Sequence, residues 1–453
     1  MTAILWLRRD LRRRDLPALG AAHEAGPVVP VFVLDPALWE GAGPARRAWL
    51  AATLEATRDA WDGHLVLRAG DPREVIPALV RETGASAVHV SRETTPAGRR
   101  RDAAVARALD GDGVAWAETG TPYAVGPGVV RNGEGNPFQV FTPFSRAWRE
   151  HGWPAPAAEP AGLRLASAPG DDAAWEEVRA AAGADGVPEL PGAGEEAALA
   201  RWEWFREEAL EDYGELRDRP DLDAVSRLSP YLKLGVLHPR TLLADLTGRD
   251  GKGRARFEAE LAWREFYADV LFHNPDSLWQ DLKPGLGGLA YDEPDTDAVA
   301  AWQAGETGYP IVDAGMRQLL AEGWMHNRVR MITASFLTKD LHVWWPVGAR
   351  HFLAHLIDGD VASNNHGWQW VAGTGTDAAP YFRVFNPVTQ GLRFDPEGDY
   401  VRRWIPELRH LRGAAAHEPW KDARGYDSGY PERIVDHAAE RTEALERYQR
   451  ARR

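Results

Sequence analysis

Glu260, Trp263, Arg264 and Tyr267 are linked by spacings of three and four residues. This puts a carboxylate, an indole, a guanidinium and a phenol on one face of a helix expected over 254–272. The face reads as the wall of a polar site, or as an ordinary amphipathic surface with a Glu/Arg pair beside a buried Trp. A second block, Gly323-Trp324-Met325-His326-Asn327-Arg328-Val329-Arg330-Met331, sets Asn327 and Arg330 among large apolar groups, or starts a helix with Asn327 as its cap. A third runs from Leu356 to Trp370. It brings together the carboxylates of Asp358 and Asp360, the amides of Asn364 and Asn365, and the indoles of Trp368 and Trp370. That composition suits a polar pocket walled by aromatics. The Asp-Gly-Asp stretch lacks the further spaced ligands of a calcium loop, so no metal is expected. In Ser226-Arg227-Leu228-Ser229-Pro230-Tyr231-Leu232, Ser229 reads as an N-cap and Pro230 as N1, a helix start able to hold an anion.

The elements that must position these residues fall into two kinds. Apolar runs at 4–7, 28–34, 65–67, 87–90 and 114–117 alternate with helical stretches at 45–61, 73–82 and 98–109. This is the pattern of a parallel doubly wound sheet, and no G-x-G-x-x-G follows its first strand. From 198 onward the patterns are helical, at 198–213, 254–272, 313–322, 328–340, 347–357 and 433–449. The expected architecture is an α/β N-terminal domain over 1–130 with a Rossmann-like parallel sheet, an interdomain linker over 131–197, and an all-α domain over 198–453.

Composition narrows the chemistry. The chain has 453 residues and no cysteine, which removes disulfides, thiolate nucleophiles, Cys-ligated zinc and iron–sulfur clusters. No signal peptide and no run of ~20 apolar residues is visible, so a cytoplasmic protein is expected. The net charge of -14 argues against nucleic acid on a bulk reading. Nine acidic and two basic residues lie within 151–200, however, so half of the net charge sits in that segment. Tryptophan is abundant at 20 residues, ten of them from Trp263 onward.

Six motifs occur in order: Ser-Arg-Leu-Ser-Pro-Tyr-Leu, Glu-Leu-Ala-Trp-Arg-Glu-Phe-Tyr, Gly-Tyr-Pro-Ile-Val-Asp-Ala-Gly-Met-Arg-Gln-Leu, Gly-Trp-Met-His-Asn-Arg-Val-Arg-Met, Asp-Gly-Asp and Asn-Asn-x-Gly-Trp-Gln-Trp. With Leu5-Trp6-Leu7-Arg8-Arg9-Asp10-Leu11-Arg12 and Phe141-Thr142-Pro143-Phe144, they make the chain similar to the DNA photolyase/cryptochrome family, specifically the class I cyclobutane pyrimidine dimer (CPD) photolyases. The resemblance implies non-covalent FAD in the helical domain. Tyr213 and the stretch Val225, Ser226, Arg227, Leu228 and Ser229 would hold its phosphates. Asp358 and Asp360 would lie along flavin and ribose, Arg330 would pair with Asp358, and Asn364 would face flavin N5. Val225 stands where the family usually has Thr, which removes one hydroxyl.

The resemblance further implies light-driven repair of UV-damaged DNA. An electron passes from photoexcited FADH⁻ to a flipped-out pyrimidine dimer and returns, with no net redox change. Glu260, Trp263, Tyr267, Asn327, Arg328, Met331 and Trp370 would face the dimer, with Arg217 and Gln390 near the DNA and Arg264 at a phosphate. Glu260 would stabilise charge on a pyrimidine carbonyl. Trp368 and Trp345 match the inner positions of an electron route that recharges FAD, and Tyr291 or Trp344 would be its outer donor. The main rival is a cryptochrome-type blue-light receptor; plant-type cryptochromes carry Asp where this chain has Asn364. A His pair typical of (6-4) photolyases is replaced by His326-Asn327. A dark flavin oxidoreductase would need a nicotinamide site, and none is visible. N-terminal domains of the family often bind an antenna, a deazaflavin or methenyltetrahydrofolate, around 8–10, 32–36 and Glu93; the residues do not choose between them. A monomer is expected, with no membrane partner.

Overall fold

The computed structural model describes residues 2–283, 289–376 and 383–451. Two compact units emerge: Met1–Glu211 with Ser226–Pro275, and Asp212–Val225 with Asp276–Arg453.

The first unit is built on five parallel strands, β1 (Ala3–Leu7), β2 (Val28–Leu34), β3 (Val66–Ala69), β4 (Ala87–Val90) and β5 (Ala115–Glu118), in the order β3-β2-β1-β4-β5. Every residue of β1 and β2 is buried, as continuous apolar runs require when helices cover both faces of a sheet. Helices Pro44–Ala60, Pro72–Thr83 and Pro96–Gly111 all begin on proline, whose fixed φ and missing N–H suit a first turn. A further helix, Pro17–Ala25, was not expected; it too begins on proline but has no side-chain cap.

The span expected as a linker over 131–197 is instead built into this unit. It contains helices Phe141–His151, Asp172–Ala182 and the start of Gly194–Trp204. Its chain runs beside β2, where Val28 N donates to Arg164 O and Ala166 N donates to Val28 O, both at 2.8 Å. Its acidic residues have structural work. Asp171 caps its helix, Glu177 accepts from the Trp39 indole N–H at 2.5 Å, and Glu195 accepts from the amides of Arg13 and Arg14 at 2.8 and 3.1 Å. The segment that carries half of the net charge thus spends several carboxylates on donors of the sheet domain, while Trp175 and Val178 supply the apolar side.

Residues 198–211 and 226–275 also belong to this unit rather than opening the helical domain. The reason is visible in the helix Lys252–His273. Its Arg264 guanidinium donates to Pro122 O and Leu232 O at 2.9 and 3.0 Å. Its Glu265 carboxylate accepts from Ala124, Val125 and Gly126 N, and Asp269 accepts from Gly128 N at 2.7 Å. One helix face thereby satisfies the 122–128 loop that leaves the sheet domain.

Among its described residues the second unit has no strand. Its main helices are Pro310–Glu322, Asn327–Ser335, Trp345–His355, Val361–Ala372, Pro387–Phe394, Asp399–Trp404 and His437–Ala451. Large aromatics fill its core: Trp302 lies 6.1 Å from Trp368 and 6.2 Å from Phe352, ring to ring. The helix expected over 328–340 continues past Ser335 as a wider π-turn, Phe336–Asp340. The last helix starts at His437, not 433, because Ile434 N is drawn to Thr307 O and Asp436 accepts from the Ala438 and Ala439 amides.

Candidate active site

In the first unit, Glu260, Trp263 and Tyr267 lie on the helix Lys252–His273 away from its loop-binding side, each partly exposed. Glu260 pairs with Arg256 one turn earlier at 3.2 Å. Arg264 does not join this face. Its guanidinium donates to Pro122 O and Leu232 O and lies 4.4 Å from the Tyr123 ring centre, a tie between helix and loop. The 226–229 turn also differs from expectation. Ser229 is the first helical residue and Leu228 precedes it without a side-chain cap, while Ser226 Oγ accepts from Leu228 N at 3.4 Å. Arg227 takes a positive φ of 52°. For a residue other than glycine this costs about 1 kcal/mol, so the surrounding chain holds the turn in shape.

In the second unit the carboxylates and amides converge on two helix starts. Asp358 is 2% exposed at its side chain and accepts from Arg330 Nη2 at 2.8 Å. Arg330 Nε donates to Met325 O at 2.8 Å, so the guanidinium bridges the two motifs that carry them. Asp360 caps the helix Val361–Ala372, accepting from Ala362 and Ser363 N at 3.1 and 3.0 Å. Along that helix Asn364 and Trp368 share one face by their spacing of four. Asn364 Nδ2 donates to Ala349 O at 3.2 Å and to Asn365 Oδ1 at 2.9 Å. Both amide hydrogens are thus engaged, and the carbonyl oxygen is the group left to accept from a ligand N–H.

A second polar face of this helix escaped the sequence reading. Gln369 Nε2 donates to Ser277 O at 2.7 Å, Gln369 Oε1 accepts from Leu282 N at 2.9 Å, and Asn365 Nδ2 donates to Leu278 O. His366 Nδ1 lies 2.8 Å from Ala362 O, an obligate acceptor, so that nitrogen carries the proton and Nε2 accepts from Ser277 Oγ at 3.0 Å. These bonds strap 277–282 to the helix. The signal was present as amides and imidazole at 365, 366 and 369, one helical step round from 364 and 368.

Burial pushes the His366 imidazole down to about 4. It stays neutral when folded but takes a proton near pH 6.5 when unfolded, so its stabilisation is complete above that pH. It is lost as pH falls toward 4, by about 3 kcal/mol. Urea unfolding between pH 7 and 4.5 should show this decline, and His366→Gln should flatten it. An unchanged slope in the variant would remove His366 as the cause.

The residues expected at the DNA are partly engaged with one another. Asp218 accepts from Arg328 Nη2 at 2.8 Å and lies 3.6 Å from Arg217 Nε. Burial alone would raise the Asp218 carboxyl, but the Arg328 hydrogen bond and the charges of Arg328, Arg217 and His326 hold it below its ordinary range. Asn327 is exposed at the first turn of its helix; His326, not Asn327, is the cap, accepting from Arg328 N at 3.2 Å. Met331 packs on the core, and Gln390 lies half-buried on Pro387–Phe394. Trp370 carries the Arg383 guanidinium 5.0 Å from its ring centre, a partner not expected from sequence.

Aromatic rings lead outward from the core. Trp345 is fully buried and Trp344 is 36% exposed, with ring centres 6.4 Å apart; Tyr291 lies another 6.4 Å from Trp344. Trp279 stacks parallel to Trp345 at 6.5 Å, and the Trp345 indole N–H donates to Asp281 at 2.7 Å. Burial and the charge of Asp281 hold the Tyr291 phenol well above its ordinary value, and its hydroxyl has no hydrogen-bond partner among the described residues.

FAD demands donors for a pyrophosphate, a compensated cation–carboxylate pair near a charged isoalloxazine, and an acceptor for a reduced-flavin N–H. In the second unit the Arg330–Asp358 pair and the Asn364 carbonyl have the chemistry for the flavin end of the cofactor, and in the first unit the hydroxyls and amides of 226–229 are donors of the kind a pyrophosphate needs, so the residues of each unit, taken by itself, fit the group. Val225 offers no hydroxyl, as the sequence states. Tyr213 is buried, with the Arg217 guanidinium 5.8 Å from its ring. At the carboxyl ends of β1 and β4, where strand order reverses, Arg8 pairs with Asp102 at 2.5 Å and Arg9 with Glu93 at 3.9 Å. Against the effect of burial, the charges of Arg9 and Arg8 hold Glu93 down to about 2.

Two family models match the chain: the DNA photolyase model over residues 3–161 and the FAD binding domain of DNA photolyase over 257–450. A protein of Halobacterium salinarum named deoxyribodipyrimidine photo-lyase is 41% identical, over 99% of both chains. The crystal structure of a class III photolyase from Agrobacterium tumefaciens superposes with a TM-score of 0.90 at 36% identity, covering 99% of this chain and 97% of that one. A Synechocystis cryptochrome structure has a TM-score of 0.87 at 27% identity, covering 98% of each. An α/β unit with a five-stranded parallel sheet, a helical FAD-binding region and relatives matched along almost their whole length all agree: the chain belongs to the DNA photolyase family.

Proposed function

We propose that this protein is a deoxyribodipyrimidine photo-lyase, which uses light to repair cyclobutane pyrimidine dimers in DNA, and that it is of class I. The observation that carries the reading is Asn364, an amide whose two hydrogens are fixed by Ala349 and Asn365 and whose oxygen is left for a donor. A neutral acceptor there holds a reduced flavin without adding charge, whereas the Asp of plant-type cryptochromes would add one. Bound FAD supplies light absorption and a one-electron donor.

The chain's own residues do the rest. In the second unit Arg330 and Asp358 would hold the cofactor's charged edge and Tyr213 would meet a phosphate; in the first, the 226–229 turn has donors for the phosphates. In the first unit Trp263 has the flat ring an extruded dimer would stack on and Glu260 a polar group for its carbonyls; in the second, Trp370 and Asn327 have the same two chemistries. A damaged base pair is cheaper to open than an intact one, which favours dimers before any contact is made; photolyases are among the standard cases of base flipping. Arg217 and Arg328 flank Asp218 and can exchange that partner for a DNA phosphate. Illuminated holoenzyme should remove thymine dimers from an oligonucleotide and Glu260→Ala should remove them more slowly; equal rates in light and dark would contradict the reading.

For the electron route we assign the order Trp368, Trp345, Trp344, Tyr291. Each outward step after Trp345 spans 6.4 Å between ring centres. The Trp345 indole N–H rests on the Asp281 carboxylate, which stabilises positive charge when that ring gives up an electron. Transient absorption of Tyr291→Phe should show a shorter charge-separated state, and Trp344→Phe a still shorter one. Kinetics unchanged in both variants would remove this exit and leave Trp279 as the outer ring. A second chromophore in the first unit, deazaflavin or methenyltetrahydrofolate, would declare itself as an absorption band beyond flavin in the natively purified protein.

A further inference from the structure

The Phe141-Thr142-Pro143-Phe144 motif takes no part in the roles assigned so far, yet it opens the helix Phe141–His151 directly against Trp263. The Phe141 ring lies face to face with the indole, 3.7 Å between centres and 7° from parallel. Aromatic pairs generally prefer offset or edge-on packing, so a stack this parallel has to be held by its surroundings. The anchors are identifiable. Phe144, three residues on and on the same helix face, is 1% exposed and packs 5.2 Å from Phe266. Arg149, two turns on, donates from Nε to Glu258 at 2.5 Å. Phe141 therefore meets Trp263 while Arg149 meets Glu258, so the short helix runs antiparallel to the middle of the long one and is held near both of its own ends. Phe266 closes the indole edge-on at 5.7 Å, and Tyr267 leans on it at 5.3 Å.

We propose that Phe141 is the positioning residue for Trp263: it covers one face of the indole, fixes its plane, and leaves only the other face for an extruded dimer. This rests on the reading of Trp263 as a wall of the dimer pocket. An indole locked before binding loses no side-chain freedom when a base stacks on it, so the fixed plane is worth affinity for dimer-containing DNA and nothing for intact duplex, which never reaches it.

The test is dark binding of the FAD-containing protein to matched duplexes with and without one thymine dimer, in a double-mutant cycle. Phe141→Ala should weaken dimer binding about fivefold and leave intact duplex unchanged, while Phe141→Tyr, which keeps a flat ring, should stay within about twofold of wild type. Phe141→Leu, which fills the space without a flat face and guards against a folding defect in the alanine variant, should behave like Phe141→Ala. In a Trp263→Ala background, Phe141→Ala should have no further effect. An equal loss in that background, or an equal loss on intact duplex, overturns the positioning role while leaving the pocket reading in place. Full dimer binding by Trp263→Ala alone overturns both.

Discussion

Arg330→Leu should come off purification with less than about a tenth of the FAD of the wild type, and should unfold about 3–5 kcal/mol more readily. The argument is electrostatic. Asp358 is almost wholly withdrawn from water and its carboxylate is held by the Arg330 guanidinium at 2.8 Å. Taking an ion out of water is expensive, and a buried carboxylate is tolerated because a hydrogen-bonded cation stands beside it. Removing the cation leaves the expense and takes away the compensation, together with the bond from Nε to Met325 O. A second substitution separates stability from cofactor binding. Adding Asp358→Asn to Arg330→Leu removes the buried charge and should recover much of the stability. It should not recover FAD, because the polar edge the cofactor needs is then gone. If the double variant regains FAD, the pair is structural only.

Gly348→Ala should lower the melting temperature by about 5 °C through overpacking and should slow electron movement through Trp368. A Cβ at Gly348 would lie 2.1 Å from Trp368 Cη2 and 2.6 Å from Leu337 Cδ2. Ordinary contacts of that kind are near ~3.5–4 Å, so something must move. The glycine belongs to the helix Trp345–His355 and the indole is wedged between Trp302 and Phe352. Neither side yields easily. The indole is the part that can turn, and turning it changes its distance to Trp345, one helical turn away from Gly348. Melting temperature and transient absorption should therefore change together. A variant as stable as wild type would show that the core adapts at this point.

The motifs were enough to expect the Arg330–Asp358 pair, which the structure forms at 2.8 Å. Strand positions were read from uninterrupted apolar runs, because a strand buried on both faces has no other pattern. An Asp or Thr cap immediately before a first-turn proline, as in Asp71-Pro72 and Thr95-Pro96, is a start signal the sequence carries. What stayed hidden depends on contacts distant in sequence. The acidic 171–196 stretch reads as linker until Arg13, Arg14 and Trp39 are seen to donate to it. Arg264 shares a helical face with Trp263 on paper, but its long side chain reaches round to two carbonyls. Asp281 has no sequence signal as a partner of Trp345, and Phe141 had a motif but no role, since stacking on Trp263 requires two helices to be laid side by side. Helix periodicity identifies a face; it does not say which long side chains leave it.

One measurement addresses the central claim most directly. Purified protein with its FAD reduced is mixed with a duplex carrying a single thymine dimer, and dimer loss is followed in the dark and under blue or near-UV light. Loss under light alone, with a wavelength dependence that follows the absorption of the reduced protein, is the predicted result. Dimer loss in the dark at the illuminated rate, or no loss under light by protein that holds reduced FAD and binds the duplex, would contradict the account.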